Sequence, residues 1–169
     1  MMKYEAIIEA PFGLVAISTI GEQLVIELLP LPESGAHGLL GVDNDFKSMP
    51  ANVKQAYQQI SQYLQQARSI LNPLPSILGT AFQQRVWQAI AAIPVGETRT
   101  YSQLAEQIGS GPRAVANACG ANPLPIVIPC HRVVAKHGWG GFMQGQQNGL
   151  LIKQWLLRHE GVNLDRFIQ

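Results

Sequence analysis

Residues 100–134 read TYSQLAEQIGSGPRAVANACGANPLPIVIPCHRVV, and this stretch decides the architecture of the second half of the chain. Thr100 or Ser102 can cap a short helix running through Ile108, because a hydroxyl outside the first turn accepts an amide hydrogen left unpaired there. Gly109-Ser110-Gly111 is a tight turn. Pro112 suits the first position of a helix, where its missing N–H is not needed, and Arg113–Ala121 continues it. Two short helices joined by a glycine-containing turn form a helix-turn-helix candidate with Arg113 at the start of the second helix. The competing reading is a helix pair that merely packs. Pro123 and Pro125 end the second helix, and Ile126–Ile128 is expected to run as a short extended segment into a Pro129-Cys130-His131-Arg132 turn.

Working outward, Thr80 can cap a helix over Ala81–Ala92 whose apolar face holds Phe82, Val86, Trp87, Ile90 and Ile93. Pro94-Val95-Gly96 stops it. Gly138–Gly149 contains five glycines and reads as a loop able to approach a ligand closely. A last helix covers Leu150–His159 and ends at Gly161, a suitable C′ residue. The first half reads differently. Tyr4–Ala10, Gly13–Ile20 and Gln23–Leu29 alternate as strands, joined by Pro11-Phe12-Gly13 and Gly21-Glu22. Glu33–Pro50 is a loop, and Ala51–Ile70 repeats its apolar positions at three- and four-residue steps, as one amphipathic helix does. Asn72-Pro73-Leu74-Pro75 breaks that helix, so a linker is expected at about 71–78, with domains at 1–75 and 76–169.

The chain's 169 residues are 47% hydrophobic and 14% charged, which supports a buried core and argues against disorder. The formal charge of +1 hides an asymmetry: residues 1–75 carry four basic and seven acidic side chains, and residues 76–169 carry eight and four. Only the second half would be drawn to phosphates. Two cysteines, Cys119 and Cys130, with no CxxC, exclude a disulfide framework and a four-thiolate zinc site. No apolar stretch reads as a signal peptide or a membrane span, so a reducing cytoplasm is the expected compartment.

A thiolate is the nucleophilic form of cysteine, and a neighbouring base produces it near neutral pH. Cys130 has His131 beside it, and adjacent turn residues can share a bridging water through which His131 would take the proton. A histidine in that role needs a carboxylate or carbonyl to fix its tautomer, and Glu160 is a candidate. Against this stands the plainer reading of Cys130 as a small buried hydrophobe. Cys119, inside an alanine-rich helix with no adjacent base, reads as packing.

The run Arg113–Val134 closely resembles the signature of the O6-alkylguanine-DNA alkyltransferases. Gly79–Trp87, Ile93–Ala105 and Lys153–Gly161 match the same family in order, so the resemblance covers about residues 79–161. It implies an α+β two-domain fold: an N-terminal antiparallel sheet with a helix, ribonuclease-H-like, and a mostly helical, winged-helix-like C-terminal domain with a helix-turn-helix. It implies a methylated-DNA–protein-cysteine methyltransferase that flips the damaged nucleotide out of the duplex, since O6 of a stacked guanine is beyond a thiolate's reach. Carried over by position, Cys130 would accept the alkyl group irreversibly. His131 would act as base through water, Glu160 would orient it, and Asn122 would hold the turn. Tyr101 would donate toward N3 of the departing guanine. Arg113 would fill the gap left by the flipped base, with Tyr101, Ala114, Ala121 and Arg132 also on the DNA side. Val133, Trp139, Phe142 and Met143 would line the guanine pocket.

The partner implied is double-stranded DNA, bound through the minor groove with little sequence preference by a monomer, with no membrane, metal or cofactor. O4-alkylthymine stays open as a second substrate. Three departures from the family pattern stand out: Ala116 and Asn117 where many members carry glycines, Gly120 at a site that is basic in some, and a longer 142–149 segment. The structural zinc of some relatives has no ligands here. Two rival readings remain: an alkyltransferase-like protein that only flags lesions, from which Cys at position 130 distinguishes this chain, and a dimeric helix-turn-helix regulator with a redox-sensing thiol.

Overall fold

The structure is a computed structural model that describes residues 4–31, 33, 45–68, 77–142 and 148–167. The chain divides into two units, Met1–Ile77 and Leu78–Gln169. The expected linker falls mostly outside the described residues, as do most of the expected 33–50 loop, Ile70 and Met143.

In the first unit, strands β1 (Ala6–Ala10), β2 (Gly13–Ile20) and β3 (Gln23–Leu29) form an antiparallel meander in the order β1-β2-β3. The register pairs Ile8 with Val15 and Ile17 with Ile26. Leu24, Ile26 and Leu28 alternate into the core from β3, while Leu14, Val15, Ala16 and Ile17 of the central strand are all buried. Gly21 takes φ +63° in the two-residue turn between β2 and β3, where positive φ is needed. At Gly13 a Cβ would stand 2.2 Å from the Leu29 carbonyl oxygen. Helix α1 (Ala51–Gln65) packs on β1 and β2 through Val53, Ala56, Ile60 and Tyr63. It is shorter than expected: Gln66 is already extended, at φ −141°. Ala67 is only half-buried and Arg68 is exposed, so no packing face remains to hold another turn.

In the second unit, helices α2 (Ala81–Ala91), α3 (Tyr101–Ile108) and α4 (Pro112–Gly120) pack on one another. Thr80 and Thr100 each close a capping box, with Gln83 and Gln103 respectively, so Thr100 rather than Ser102 starts α3. Gly109 ends α3 in the left-handed region at φ +71°, and Pro112 opens α4. The buried Trp87 indole N–H donates to the Ala118 carbonyl at 2.9 Å, which ties α2 to α4. Helix α5 (Gly149–His159) follows, with Gly161 at φ +84°.

A short parallel pair positions the chemistry. Strand β4 (Arg99–Thr100) pairs with β5 (Val133–Val134), Arg99 opposite Val133. Tyr101 follows β4 directly and the Cys130–Arg132 turn precedes β5 directly. Pairing the two strands therefore brings residues about thirty positions apart to one place, and neither strand alone has the length to announce itself in the sequence.

Candidate active site

The segment before Cys130 is a folded turn rather than the extended run expected for Ile126–Ile128. Ile126 lies at φ +76°, a conformation that a β-branched residue adopts only when its surroundings impose it. The Ile128 amide donates to the Leu124 carbonyl at 2.8 Å, and the Cys130 amide to the Ile128 carbonyl at 2.7 Å. Pro129, at φ −80° and ψ 65°, is the centre of that second, three-residue turn. Asn122 holds the whole segment: its Oδ1 accepts from the Leu124 amide at 2.9 Å and its Nδ2 donates to the Ile128 carbonyl at 2.9 Å. The same Nδ2 lies 3.0 Å from the Cys130 sulfur. The turn and the Cys130 sulfur are thus positioned by one side chain, and the sulfur contact is something spacing did not reveal.

Cys130 is 6% exposed and His131 is fully buried. His131 Nε2 lies 2.6 Å from Glu160 Oε2. An ionised carboxylate only accepts, so Nε2 carries the hydrogen and the lone pair of the neutral ring sits on Nδ1. Nδ1 is buried and has no hydrogen-bond partner among the described residues. Burial pushes the His131 pKa below its ordinary value, against the opposing pull of Glu160, and keeps the ring neutral and basic. Burial works to raise the Glu160 pKa, but His131 and Arg132 outweigh it and hold the carboxyl well below the usual carboxylate range.

Arg132, expected on the DNA side, faces inward instead. It is 6% exposed, and its Nε and Nη2 donate to Glu160 Oε1 and Oε2 at 2.7 and 3.1 Å. Its Nη1 donates to the Ile93 carbonyl at 2.6 Å. A planar guanidinium matched to a carboxylate fixes the plane of that carboxylate. Arg132 therefore aims Glu160 at His131, and each of its three nitrogens donates within the protein.

The sequence reading gave Lys153 no role, yet it is fully buried beside the thiols. Its Nζ donates to the carbonyls of Val133 and Gly141 at 2.7 and 3.0 Å. Burial lowers its pKa to about 8, so it stays largely charged at neutral pH, and its field favours a thiolate nearby. One signal was available: Lys153 shares the helical face of Gly149, Ile152, Leu156 and Leu157, so periodicity alone placed a charge among core positions. Cys119 was read as packing, but it adjoins Cys130, whose sulfur lies 3.8 Å from the Cys119 carbonyl oxygen. The neighbouring Cys119 thiol and burial push Cys130 well up, while Asn122 and Lys153 pull the other way. Cys130 is thus a thiol at rest and needs a base to become a nucleophile.

Tyr101 is half-buried, its pKa pushed up to about 12 chiefly by burial, and its hydroxyl faces the Gly141 carbonyl at 3.4 Å. Gly140 leaves room for it: a Cβ there would lie 2.8 Å from the Tyr101 ring. Phe142 meets His131 edge-on, with ring centroids 6.5 Å apart. Trp139, expected as an alternative wall of the same pocket, packs instead against Phe167, with tilted rings whose centroids lie 4.6 Å apart. Val133 is buried. Arg113 is exposed in the first turn of α4, Ala114 is half-buried beside it, and Ala121 is exposed at the helix end.

Residues 81–162 match the family described as "6-O-methylguanine DNA methyltransferase, DNA binding domain". A methylated-DNA–protein-cysteine methyltransferase of Shigella flexneri is 42% identical over 123 residues, 64% of this chain and 70% of that one. A probable protein of the same name from Acanthamoeba polyphaga mimivirus is 55% identical over 87 residues, 50% of this chain and 56% of that one. Other curated relatives are matched over 48% of their length, so the chain spans about half the length of several of them. The crystal structure of Mycobacterium tuberculosis OGT in complex with DNA superposes with a TM-score of 0.68 at 32% identity, over 95% of this chain and 92% of that one.

Proposed function

The chain belongs to the methylated-DNA–protein-cysteine methyltransferase family, and from that premise we propose that it removes alkyl groups from O6 of guanine in DNA by transferring them to its own Cys130. The observation that carries this reading is the His131–Glu160 hydrogen bond, which leaves the lone pair of a neutral histidine on Nδ1, in the residue next to a thiol that needs a base. His131 takes the Cys130 proton through a bridging water, and Glu160 holds the tautomer and stabilises the imidazolium that forms. The sulfur attacks the alkyl carbon in line, the S–C bond forms and the C–O6 bond breaks. Asn122 and Lys153 stabilise sulfur while it is anionic, and Tyr101 offers its proton toward N3 as guanine leaves. Water does not hydrolyse a thioether under mild conditions, so each molecule acts once.

Damaged duplex is the partner under this reading, entered from the minor groove by α4, with Arg113 filling the gap behind the flipped nucleotide. Sequence preference is low and the protein acts as a cytoplasmic monomer. Among the described residues no helix is long and apolar enough to cross a membrane. Val133 and Phe142 wall the guanine pocket, with the first unit as a ribonuclease-H-like support and the second as a winged-helix-like reader. A lesion-flagging protein that only binds would need no acceptor thiol, and position 130 is Cys.

The test is intact mass before and after mixing with duplex DNA containing O6-methylguanine. The expected result is a stoichiometric gain of one CH2, mapped to Cys130, with the methyl lost from the DNA. Binding with unchanged mass would favour the lesion-flagging protein.

A further inference from the structure

Cys119 is a nucleophile that alkyl transfer does not use. It sits in the last turn of α4, half-buried, whereas Cys130 is 6% exposed. A reagent from solution therefore reaches Cys119 first. The two residues adjoin: the Cys130 sulfur lies 3.8 Å from the Cys119 carbonyl oxygen. They are also the chain's only two cysteines, so an oxidised Cys119 has a single internal thiol to react with. Both lie near the Lys153 ammonium.

We propose that Cys119 is a thiol-modification site for small disulfides such as oxidised glutathione, and that Cys130 resolves the adduct into an internal Cys119–Cys130 disulfide that masks the acceptor. The chemistry balances in two exchanges. The Cys119 thiolate attacks the disulfide, forming a mixed disulfide and releasing one glutathione thiolate. Cys130 then passes its proton to a base and attacks the Cys119 sulfur, forming the internal bond and expelling the second glutathione. The oxidant supplied is one disulfide, and it leaves as two thiols. The charge distribution favours this order of events. The Cys119 thiol is pulled below its usual range, first by the neighbouring Cys130 side chain and then by Lys153, against the opposing effect of burial. An accessible, acidic thiol beside a resolving thiol is the arrangement that oxidation selects. A Cys130 sulfur held in such a bond cannot become a thiolate and so accepts no alkyl group, and a cellular reductant returns it.

The full-length protein, freed of reductant, is exposed to oxidised glutathione and then analysed without reduction. The intact mass falls by two hydrogens, a Cys119–Cys130 cross-linked peptide appears, and methyl uptake from O6-methylguanine DNA is lost until dithiothreitol is added. Cys130→Ala accumulates glutathione on Cys119 with no cross-link. Cys119→Ser keeps most of its own methyl uptake through the same exposure. A wild-type chain that retains two free thiols, or that carries glutathione without cross-linking, overturns the proposal, as does a Cys119→Ser variant inactivated as fast as wild type. The masking of alkyl transfer rests on the proposed function, but the cross-link does not. Failure to take up methyl in reductant counts against the function alone, and a missing cross-link counts against the modification site alone.

Discussion

Glu160 shows how much one side chain can be asked to do. It accepts from His131 on one oxygen and from Arg132 on both, in a site closed to solvent. Replacing it by Gln keeps the shape but supplies an amide that can donate to His131 and turn the tautomer around, so the lone pair no longer sits on Nδ1. Glu160→Gln is expected to slow methyl uptake by about 100-fold or more, within the range that a positioned base contributes. The pH profile separates this from a folding defect. Wild-type uptake holds steady at neutral pH and falls only below the ordinary histidine value of 6.5, because burial keeps His131 neutral above it. Removing the carboxylate removes a group that raises the His131 pKa, so the acid limb of the variant moves to lower pH. An unchanged rate would sink the role given to Glu160.

At the scale of elements, α4 carries a charge its own stability does not want. Arg113 lies in the first turn, where the helix dipole disfavours a cation, and it is exposed. Arg113→Ala should leave the thermal midpoint unchanged or slightly raised while methyl uptake from duplex DNA falls about tenfold or more, roughly 1.4 kcal/mol. Duplex affinity should fall less than uptake. Stopped-flow fluorescence of a base analogue beside the lesion, compared with affinity titration, reports the two separately, and an equal loss of both would remove the wedge assignment. The helix itself was legible: Pro112 at its first position and Gly109 in the left-handed region before it are local signals that tertiary contacts did not override. The end of α1 was not, because no Gly or Pro marks Gln65, and the helix stops where burial stops.

For the molecule as a whole, the buried polar cluster makes stability depend on pH in two steps. His131 has a folded pKa below its ordinary 6.5, so the unfolded chain binds its proton more readily, and stability falls as pH drops below about 6.5. Glu160 also has a lowered folded pKa, which contributes stability above its ordinary 4.5, and that contribution is lost as pH falls below this value. Denaturant midpoints taken between pH 8 and pH 3 should therefore decline in two stages. Glu160→Gln should lose the lower stage, and a variant that tracks wild type through it would contradict the assignment.

The residues alone determined what depends on neighbours along the chain: the strands of the first unit, the caps at Thr80 and Thr100, the turn at Gly109, and a thiol followed by a possible base. They also placed Glu160 among the candidates, because ordered motifs surround it. Only the tertiary structure decided which groups meet. It turned Arg132 from a DNA contact into the clamp on Glu160, moved Trp139 away to Phe167, folded Ile126–Ile128 into a turn, and set Lys153 and Cys119 beside Cys130. The physical reason is range. Capping and turn preferences act within a few residues, whereas desolvation and charge act between groups that the two short strands β4 and β5 and the packing of α5 bring together from distant parts of the sequence.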